Sequence, residues 1–561
     1  MQRIELPVLI VGAGPTGLSA ALLAQRLGLD HLLVERREGP QRAPAAHCVN
    51  ARTFEIWRQV DADMKALAAV SQDPADAGFV YWVTQLGGEI FGRLPYENQG
   101  DEILAVTPTP LRNLSQHRLE PILVQSLVAA GAPAVRYSHQ WESARQDGDA
   151  VCSQIRALDS GETYEVRSRY LLAADGAGSP VRRWLGIEPI GPERIQSFVM
   201  IHFEADLRSI VRDCPGVMYW TCDPDAGGVL VAHDIDREWV YMHAWDPERE
   251  PREHYTEEVC ERLVRRAIAR DDVDLRIRTI STWTMTAQVA QRYREGRAFL
   301  LGDAAHRFPP TGGLGLNTGV QDAHNLIWKL AAVERGDAGD KLLDTYESER
   351  RPVAQTNAEQ SFQNALRMLE VMHALGRGDD RDAARSSFEV VLADSEARRR
   401  LTTAIENQAE HFDMLGLQLG FSYDTGALVG DGTDKPPFGN RARDFIPNSR
   451  PGSRLPHGWI TFAGHTVSTL DLIAPGGFTL LAGPEGSAWV DAAGDGVRAL
   501  QIGCDVIGAE EWWTTVAGLG PAGVLLVRPD QHIAYRSHDG VADARRALRQ
   551  ALAAICFRGE G

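Results

Sequence analysis

LPVLIVGAGPTGLSAALLAQRLGLDHLLVER, residues 6–36, decides the fold. Pro7 to Val11 reads as a buried strand, a glycine turn follows at once, the stretch from Pro15 to Leu29 has helical spacing, and His31 begins a second strand. This is a strand–turn–helix–strand unit. Gly12, Gly14 and Gly17 stand at GxGxxG spacing between the strand and the helix. The first glycine permits the tight turn and the second lets backbone approach a pyrophosphate, while the helix start offers N–H groups and a positive dipole. Thr16 lies inside the turn. Glu35 ends the second strand about twenty residues on, with Arg36 beside it, where an acidic group accepts ribose hydroxyls. That favours an adenosine ribose without a 2′-phosphate, as in FAD or NAD, and leaves those two undecided.

A chain of 561 residues exceeds one hydrophobic core and implies roughly three or four units. With 44% hydrophobic and 24% charged residues it has the composition of a globular protein. A formal charge of −18 argues against nucleic acid or an anionic membrane as partner, since both need clustered Lys and Arg. The seven cysteines show no CxxC pair and no Cys/His cluster, so no metal site is expected and a reducing cytoplasm fits. Glu5 stands where an export signal wants basic charge, and no apolar run reaches the ~18 residues of a membrane span.

Two further strands end in chemistry-bearing turns. Tyr170 to Ala174 runs into Asp175-Gly176, and Ala298 to Leu301 runs into Gly302-Asp303 before a helix from Leu316 to Arg335. Both are expected in the first sheet. Between them SFVMIHFEADL, GVMYWTC, GGVLVAHDI and EWVYMHAWD alternate as half-buried antiparallel strands do. The expected units are a dinucleotide-type domain from 1–75, 105–185 and 285–400, with a helical extension to about 425, a sheet domain from 76–104 and 186–284, a linker over 430–458, and a small α/β domain over 459–561.

The block GDAAHRFPPTGGLGLNTGVQDAHNLIWKL, residues 302–330, is built for a ligand. Asp303 suits a ribityl hydroxyl, and Gly312, Gly313 and Gly315 let backbone approach a flat ring. A helix starting near Leu316 would aim its dipole at the anionic N1/C2=O edge of a reduced flavin, worth about 0.3–1 kcal/mol.

These two blocks, with Asp175-Gly176, Ser179 and Arg182, resemble the class A flavoprotein aromatic hydroxylases over roughly residues 5–350. The resemblance implies an α/β fold with a Rossmann-like FAD-binding domain and an inserted antiparallel-sheet substrate domain of the p-hydroxybenzoate hydroxylase kind. It implies FAD, NADPH or NADH as cosubstrate, and O2. Asp175 would lie near the FAD pyrophosphate and Arg182 on the NAD(P)H path. Residues 99–128, with LSQHRLEPILVQSL at their core, and Tyr219-Trp220 most resemble the phenol and chlorophenol hydroxylases and their polyketide-hydroxylase relatives. By motif position Arg52 and Gln116 would contact FAD, Leu316 and Asn317 the flavin pyrimidine, and the Pro310 carbonyl the substrate hydroxyl, with Pro309, Tyr219 and Trp220 around the substrate. The C-terminal domain resembles a thioredoxin-like appendage without its redox cysteines, since Cys504 and Cys556 stand alone, so a structural role and a homodimer are expected.

The implied reaction has two halves. NAD(P)H reduces the flavin, and oxygen adds to its C4a as a hydroperoxide that hydroxylates a phenolic ring. Ionising a phenol of pKa near 10 at pH 7 costs about 4 kcal/mol, so a base is needed. His47, in PAAHCVNARTFEIW, holds a position where phenol-type relatives carry histidine, although Ala45 replaces the arginine common two residues earlier. A structural histidine is the competing reading. Aromatic stripes such as Tyr219, Trp220, His233, His243 and Trp245 serve either a core or a pocket wall. The substrate is expected to be a chloro-, alkyl- or nitro-substituted phenol or a larger aromatic polyketide. A flavin-dependent reductase or a halogenase, whose WxWxIP-type signature is missing, and a flavin-bearing docking module are the alternatives.

Overall fold

Strand Arg3–Val11 pairs in parallel with His31–Val34 on one side and with Thr163–Ala173 on the other, and Ala298–Leu300 continues the parallel run. These assignments come from a computed structural model that describes residues 3–376, 381–494 and 496–558. Residues 1–2, 377–380, 495 and 559–561 of the expected units therefore lie outside the described residues. Val8, Leu9, Ile10, Leu171, Leu172 and Phe299 are fully buried, as a parallel sheet covered on both faces requires. Parallel pairing puts the carboxyl ends of three strands on one edge. There Gly12, Asp175 and Gly302 meet, the crevice position at which open α/β sheets bind ligands. Helices Pro15–Arg26 and Leu314–Glu334 pack together over this sheet.

The second sheet has seven strands in the order Arg276–Met285, Gln196–Glu204, Glu238–Trp245, Gly228–Asp234, Met218–Thr221, Phe79–Val83 and Ile90–Pro95. Its period-two pattern separates two apolar faces. Val199, Ile201, Phe203, Tyr219, Leu230, Trp239 and Tyr241 close with Cys260, Val264 and Ile268 of helix Glu257–Ile268. Met200, Met218, Trp220, Val229, Val231, Val240 and Met242 lie on the other side.

In the C-terminal unit, Val497–Gln501, Phe478–Ala482, Val524–Val527 and Ile533–Ser537 form a sheet in that order, the first pair parallel and the others antiparallel. Helices Ser487–Ala492 and Ala544–Ile555 accompany it. The expected linker is corrected at its end, where Ser449, Ser453, Arg454, Leu455 and His457 are buried. The cause is electrostatic: Arg454 donates to the carboxylate of Glu55, with Nε 2.9 Å from Oε2. A second buried cluster centres on Glu349, which receives Lys329 Nζ at 2.8 Å, Asn325 Nδ2 at 2.6 Å, both Arg528 Nη atoms at 2.9 and 2.8 Å, and the Ala427 amide at 2.8 Å. Cys504 is exposed, Cys556 is buried, and neither is paired. Among the described residues no helix is long and apolar enough to cross a membrane, and no group of His, Cys, Asp and Glu could hold a metal.

Candidate active site

Each glycine of the first turn answers a different steric demand. Gly12 has φ +102°, and a Cβ there would run into the Ala174 carbonyl; one on Gly17 would run into the Gly12 carbonyl. Gly14 has open space where its Cβ would be. Helix Pro15–Arg26 has no side-chain cap at Gly14, so its first N–H groups are available to an anion. Thr16 packs against Gly302, at φ +57°, and against Gly319 of the long helix. Glu35 accepts from the Ala13 amide at 2.8 Å and the Arg37 amide at 2.9 Å. Burial alone would raise its pKa, but those amides and the Arg37 charge hold it below the usual carboxylate range. Arg36 is exposed. Arg37 is the arginine that turns inward, to Glu35 and Glu120 at 3.3 Å each, because neighbouring extended residues point to opposite sides.

Two acids line the same edge. Asp175 Oδ2 accepts from the Val181 amide at 3.1 Å, while Oδ1 is buried without a partner and burial raises the pKa. An orphaned carboxylate oxygen beside Gly176, whose Cβ position is open, fits the hydroxyl or phosphate-bound water of a dinucleotide. Asp303 is exposed to solvent, yet protein surrounds it closely enough for burial to raise its pKa, against His306 and Arg307. Arg182, expected on the nucleotide path, is buried and spends its guanidinium on Ala304 O and Ala177 O, both at 3.0 Å. It ties the two loops together.

Pro309 is buried and Pro310 exposed. The Pro310 carbonyl accepts from the Gly313 amide at 2.9 Å, closing a turn in which Gly312 and Gly313 take φ +116° and +61°. The long helix begins at Leu314, two residues before the expected Leu316, and has no side-chain cap. Gly315 has open space beside it and Leu316 is half-buried. Asn317 departs from expectation. Its Oδ1 accepts from Asn50 N at 3.0 Å and Thr53 Oγ1 at 2.7 Å, and its Nδ2 donates to Cys48 O at 2.9 Å and Gly313 O at 2.7 Å. The side chain braces the loop and is spent. Arg52 also departs: its guanidinium turns to Glu55, Gln531 and the Asp530 carbonyl, at 2.9, 2.6 and 2.9 Å. Gln116 donates its backbone amide to Ala46 O at 2.9 Å and its Nε2 to Glu120 Oε1 at 2.7 Å. Asp322, unremarked in the sequence, accepts from Gly302 N at 3.1 Å and from His306 and Arg350 at 2.8 Å, and so anchors the second acidic turn.

His47 hydrogen-bonds through Nδ1 to Asn113 Oδ1. Asn113 Nδ2 faces Gln72 Oε1 and, at 3.3 Å, Ala232 O. A carbonyl only accepts, so the Asn113 nitrogen must face it and its oxygen must take a proton from His47 Nδ1. Neutral His47 therefore has its lone pair on Nε2. Burial lowers its pKa, against the Asn113 bond. The His233 ring stands edge-on to it at 5.3 Å and 89°, with Nδ1 buried and unpartnered. Asn113 was not legible in sequence, since its only signal is the short pairing of Arg112–Asn113 with Cys48–Val49. Trp220 lies half-buried on the sheet face that carries His233, stacked on Trp82. Tyr219 is corrected: one residue earlier, it points to the opposite face, fully buried, its hydroxyl on Cys214 O at 2.8 Å. A one-residue step in a strand reverses the side.

A family model described as an FAD binding domain matches residues 5–361, and one described as an aromatic-ring hydroxylase C-terminal domain matches 448–558. A 2,4-dichlorophenol 6-monooxygenase from Cupriavidus pinatubonensis is 35% identical over 99% of this chain and 97% of its own. A tetracenomycin B2 monooxygenase-dioxygenase from Streptomyces olivaceus is 34% identical over 100% of both chains. The crystal structure of the flavin-dependent monooxygenase PieE, in complex with FAD and substrate, superposes with a TM-score of 0.92 at 34% identity, covering 99% of this chain and 100% of that one. With the glycine cradle, the orphaned Asp175 oxygen and the uncapped helix starts all fitted to a flavin dinucleotide, the chain belongs to the FAD-dependent aromatic-ring hydroxylases, a family of flavoprotein monooxygenases.

Proposed function

We propose that the protein uses FAD, NADPH or NADH, and O2 to hydroxylate a phenolic ring, with His47 as the base that takes the phenol proton. When bound, FAD supplies hydride acceptance from NAD(P)H and the activation of O2. The chain's residues do the rest. Gly14 and the helix start behind it receive the pyrophosphate, Glu35 the ribose, Asp175 and Asp303 the remaining hydroxyls, and the N–H groups of Leu314 to Leu316 the pyrimidine edge. The Pro310 carbonyl, with one lone pair left beside its turn, and Pro309 border the ring. His47 Nε2 accepts the proton that would otherwise cost about 4 kcal/mol to remove at pH 7.

The observation that carries this reading is the tautomer set by Asn113, which leaves Nε2 bare beside the apolar sheet face. The experiment is NAD(P)H oxidation and oxygen uptake across a panel of phenols with product analysis. His47→Ala should retain its flavin absorbance and lose about a hundredfold in hydroxylation, the scale of a positioned base. Unchanged coupled turnover in that variant would remove His47 from the role. Because His47 titrates below its ordinary 6.5, the basic form persists into mildly acid solution. The acid limb of kcat/KM should thus fall below pH 6.5 and vanish in His47→Ala.

The strand order of the C-terminal unit supports a thioredoxin-like reading, and its unpaired cysteines support a structural role over a redox one. Scattered cysteines with no CxxC spacing also support a reducing, cytoplasmic setting. The family resemblance implies a homodimer, which sedimentation would register as a doubled mass.

A further inference from the structure

Helix Ala51–Gln59 joins the C-terminal unit to the FAD-binding domain. Arg52, Glu55 and Gln59 share one face of it, at helical spacing. Arg52 donates from Nη1 to Gln531 Oε1 at 2.6 Å and from Nη2 to the Asp530 carbonyl at 2.9 Å. Glu55 receives Arg454, and Gln59 Nε2 donates to the Pro529 carbonyl at 2.9 Å. Thr53 and Trp57 form the opposite face. Thr53 Oγ1 and the Asn50 amide both donate to Asn317 Oδ1, and Trp57 Nε1 donates to Ser19 Oγ at 2.8 Å on the first helix. Asn317 Nδ2 in turn reaches Gly313 O at 2.7 Å, which ties the helix to the turn before the long helix.

The contacts on the first face come largely from one hairpin turn. Pro529 to Gln531 lie between strands Val524–Val527 and Ile533–Ser537. The turn is closed by the Arg528 amide on His532 O at 2.8 Å and the Gln531 amide on Arg528 O at 2.9 Å. Gln531 is buried at φ +64°. Glycine takes that left-handed conformation freely, whereas a residue with a side chain is strained in it, so the contacts of this glutamine must offset the strain. The Leu470 carbonyl, 3.3 Å from Nε2, can only accept, so the amide nitrogen faces it and Oε1 faces Arg52. Arg52 Nε is buried without an acceptor, which leaves the guanidinium dependent on the partners of Nη1 and Nη2. By the same rule the Pro529 carbonyl orients Gln59, whose Oε1 then accepts from His324 Nε2 at 2.7 Å on the long helix. His324 keeps its lone pair on Nδ1, 3.4 Å from Arg52 Nη2. One turn therefore orients two helices of the FAD-binding domain.

We propose that Gln531 is a positioning residue: from the C-terminal unit it sets helix Ala51–Gln59 and, through Asn317, the Gly312-Gly313 turn on which FAD retention depends. The hairpin thus acts on the cofactor site through the helix.

The test follows FAD release from the holoenzyme, read as the rise in flavin fluorescence on dilution, together with amide hydrogen exchange. Gln531→Leu fills similar space without an acceptor, and Gln531→Asn suits the left-handed backbone but stops short of Arg52. In both, FAD should leave about tenfold faster, and the amides of residues 48–53 and 313–317 should exchange about tenfold faster, the scale of one buried hydrogen bond. Exchange across 524–527 and 533–537 should keep its native rate. Arg58→Ala removes a partly exposed ion pair between the same helix and Asp471 and should change none of these rates. Native FAD release in either folded Gln531 variant overturns the proposal. Faster exchange spread over 524–537 does the same, because Gln531 would then serve only the C-terminal fold. An equal effect of Arg58→Ala also overturns it, since docking in general would suffice. The wild-type holoenzyme gives a check that needs no variant to fold: under rising urea, protection of 48–53 and retention of FAD should end together with protection of the hairpin. A hairpin that opens while both persist overturns the proposal. None of these readings involves a proton on His47, so they stand apart from the assignment of the base.

Discussion

Gly17→Val should give a protein that purifies without flavin. The added Cβ would meet the Gly12 carbonyl oxygen far inside contact distance, then the Gly12 carbonyl carbon and the Ala174 Cβ. The first two are backbone, in a turn held by the Gly12 amide on Val34 O at 2.8 Å, so no side chain can swing away. The helix start must shift from the strand ends, and with it every N–H group aimed at the pyrophosphate. Overpacking of this kind costs about 1–3 kcal/mol or more, and the lost geometry removes the binding site itself. The check is the ratio of flavin to protein absorbance, expected near zero, with a lowered melting temperature. Gly14→Ala separates the two demands on the turn. Its Cβ enters open space, so the fold should melt normally while FAD binds more weakly. Stoichiometric flavin in Gly17→Val would defeat this account of the turn.

Glu349→Ala should cost about 3–5 kcal/mol, the scale found when one partner of a buried ion pair is removed, against a typical total stability of about 5–15 kcal/mol. Of the two fully buried cations, Arg528 would keep Asp530 as its carboxylate partner and Lys329 only the Asn325 amide oxygen, while the Asn325 and Ala427 donors would lose their acceptor. The denaturant midpoint measures this, and a shift worth under about 1 kcal/mol would contradict it. Acid should act in the same direction. Burial pushes the Glu349 pKa up, but Arg528 and Lys329 outweigh it and bring it from 4.5 to about 2. A depressed folded-state pKa stabilises fully above the unfolded value, so this contribution should be lost as the pH falls from about 4.5 to about 2, and Glu349→Ala should flatten that part of the acid transition.

What could be read from the sequence was what lies close together along it. The glycine turn, Glu35, the Asp175 and Asp303 turns and the alternating strands are contiguous patterns whose spacing states their geometry. Side-chain direction was less legible. Tyr219 and Trp220 differ by one residue and face opposite sides, and Arg36 and Arg37 divide in the same way between solvent and site. The protein partners of Arg52 and Asn317 were not legible because they are remote: Gln531 lies 479 positions from Arg52, and Asn50 lies 267 from Asn317. No local pattern announces such a bond. His47 could be chosen by position in a motif, but the group that fixes its tautomer, Asn113, is 66 residues away on a two-residue strand.

The Arg52 and Glu55 cluster also bears on the order in which the molecule is made. Helix Ala51–Gln59 follows directly on His47, Cys48 and Asn50, and two of its side chains are charged and fully buried. Their partners Arg454, Asp530 and Gln531 are translated some four hundred residues later. Until that last stretch leaves the ribosome, Arg52 and Glu55 must stay hydrated, and the segment ahead of them cannot settle against the long helix. Although every residue of the first glycine turn is synthesised within seconds, cofactor capture has to wait for the end of translation, and a chain released early should emerge as a colourless fragment.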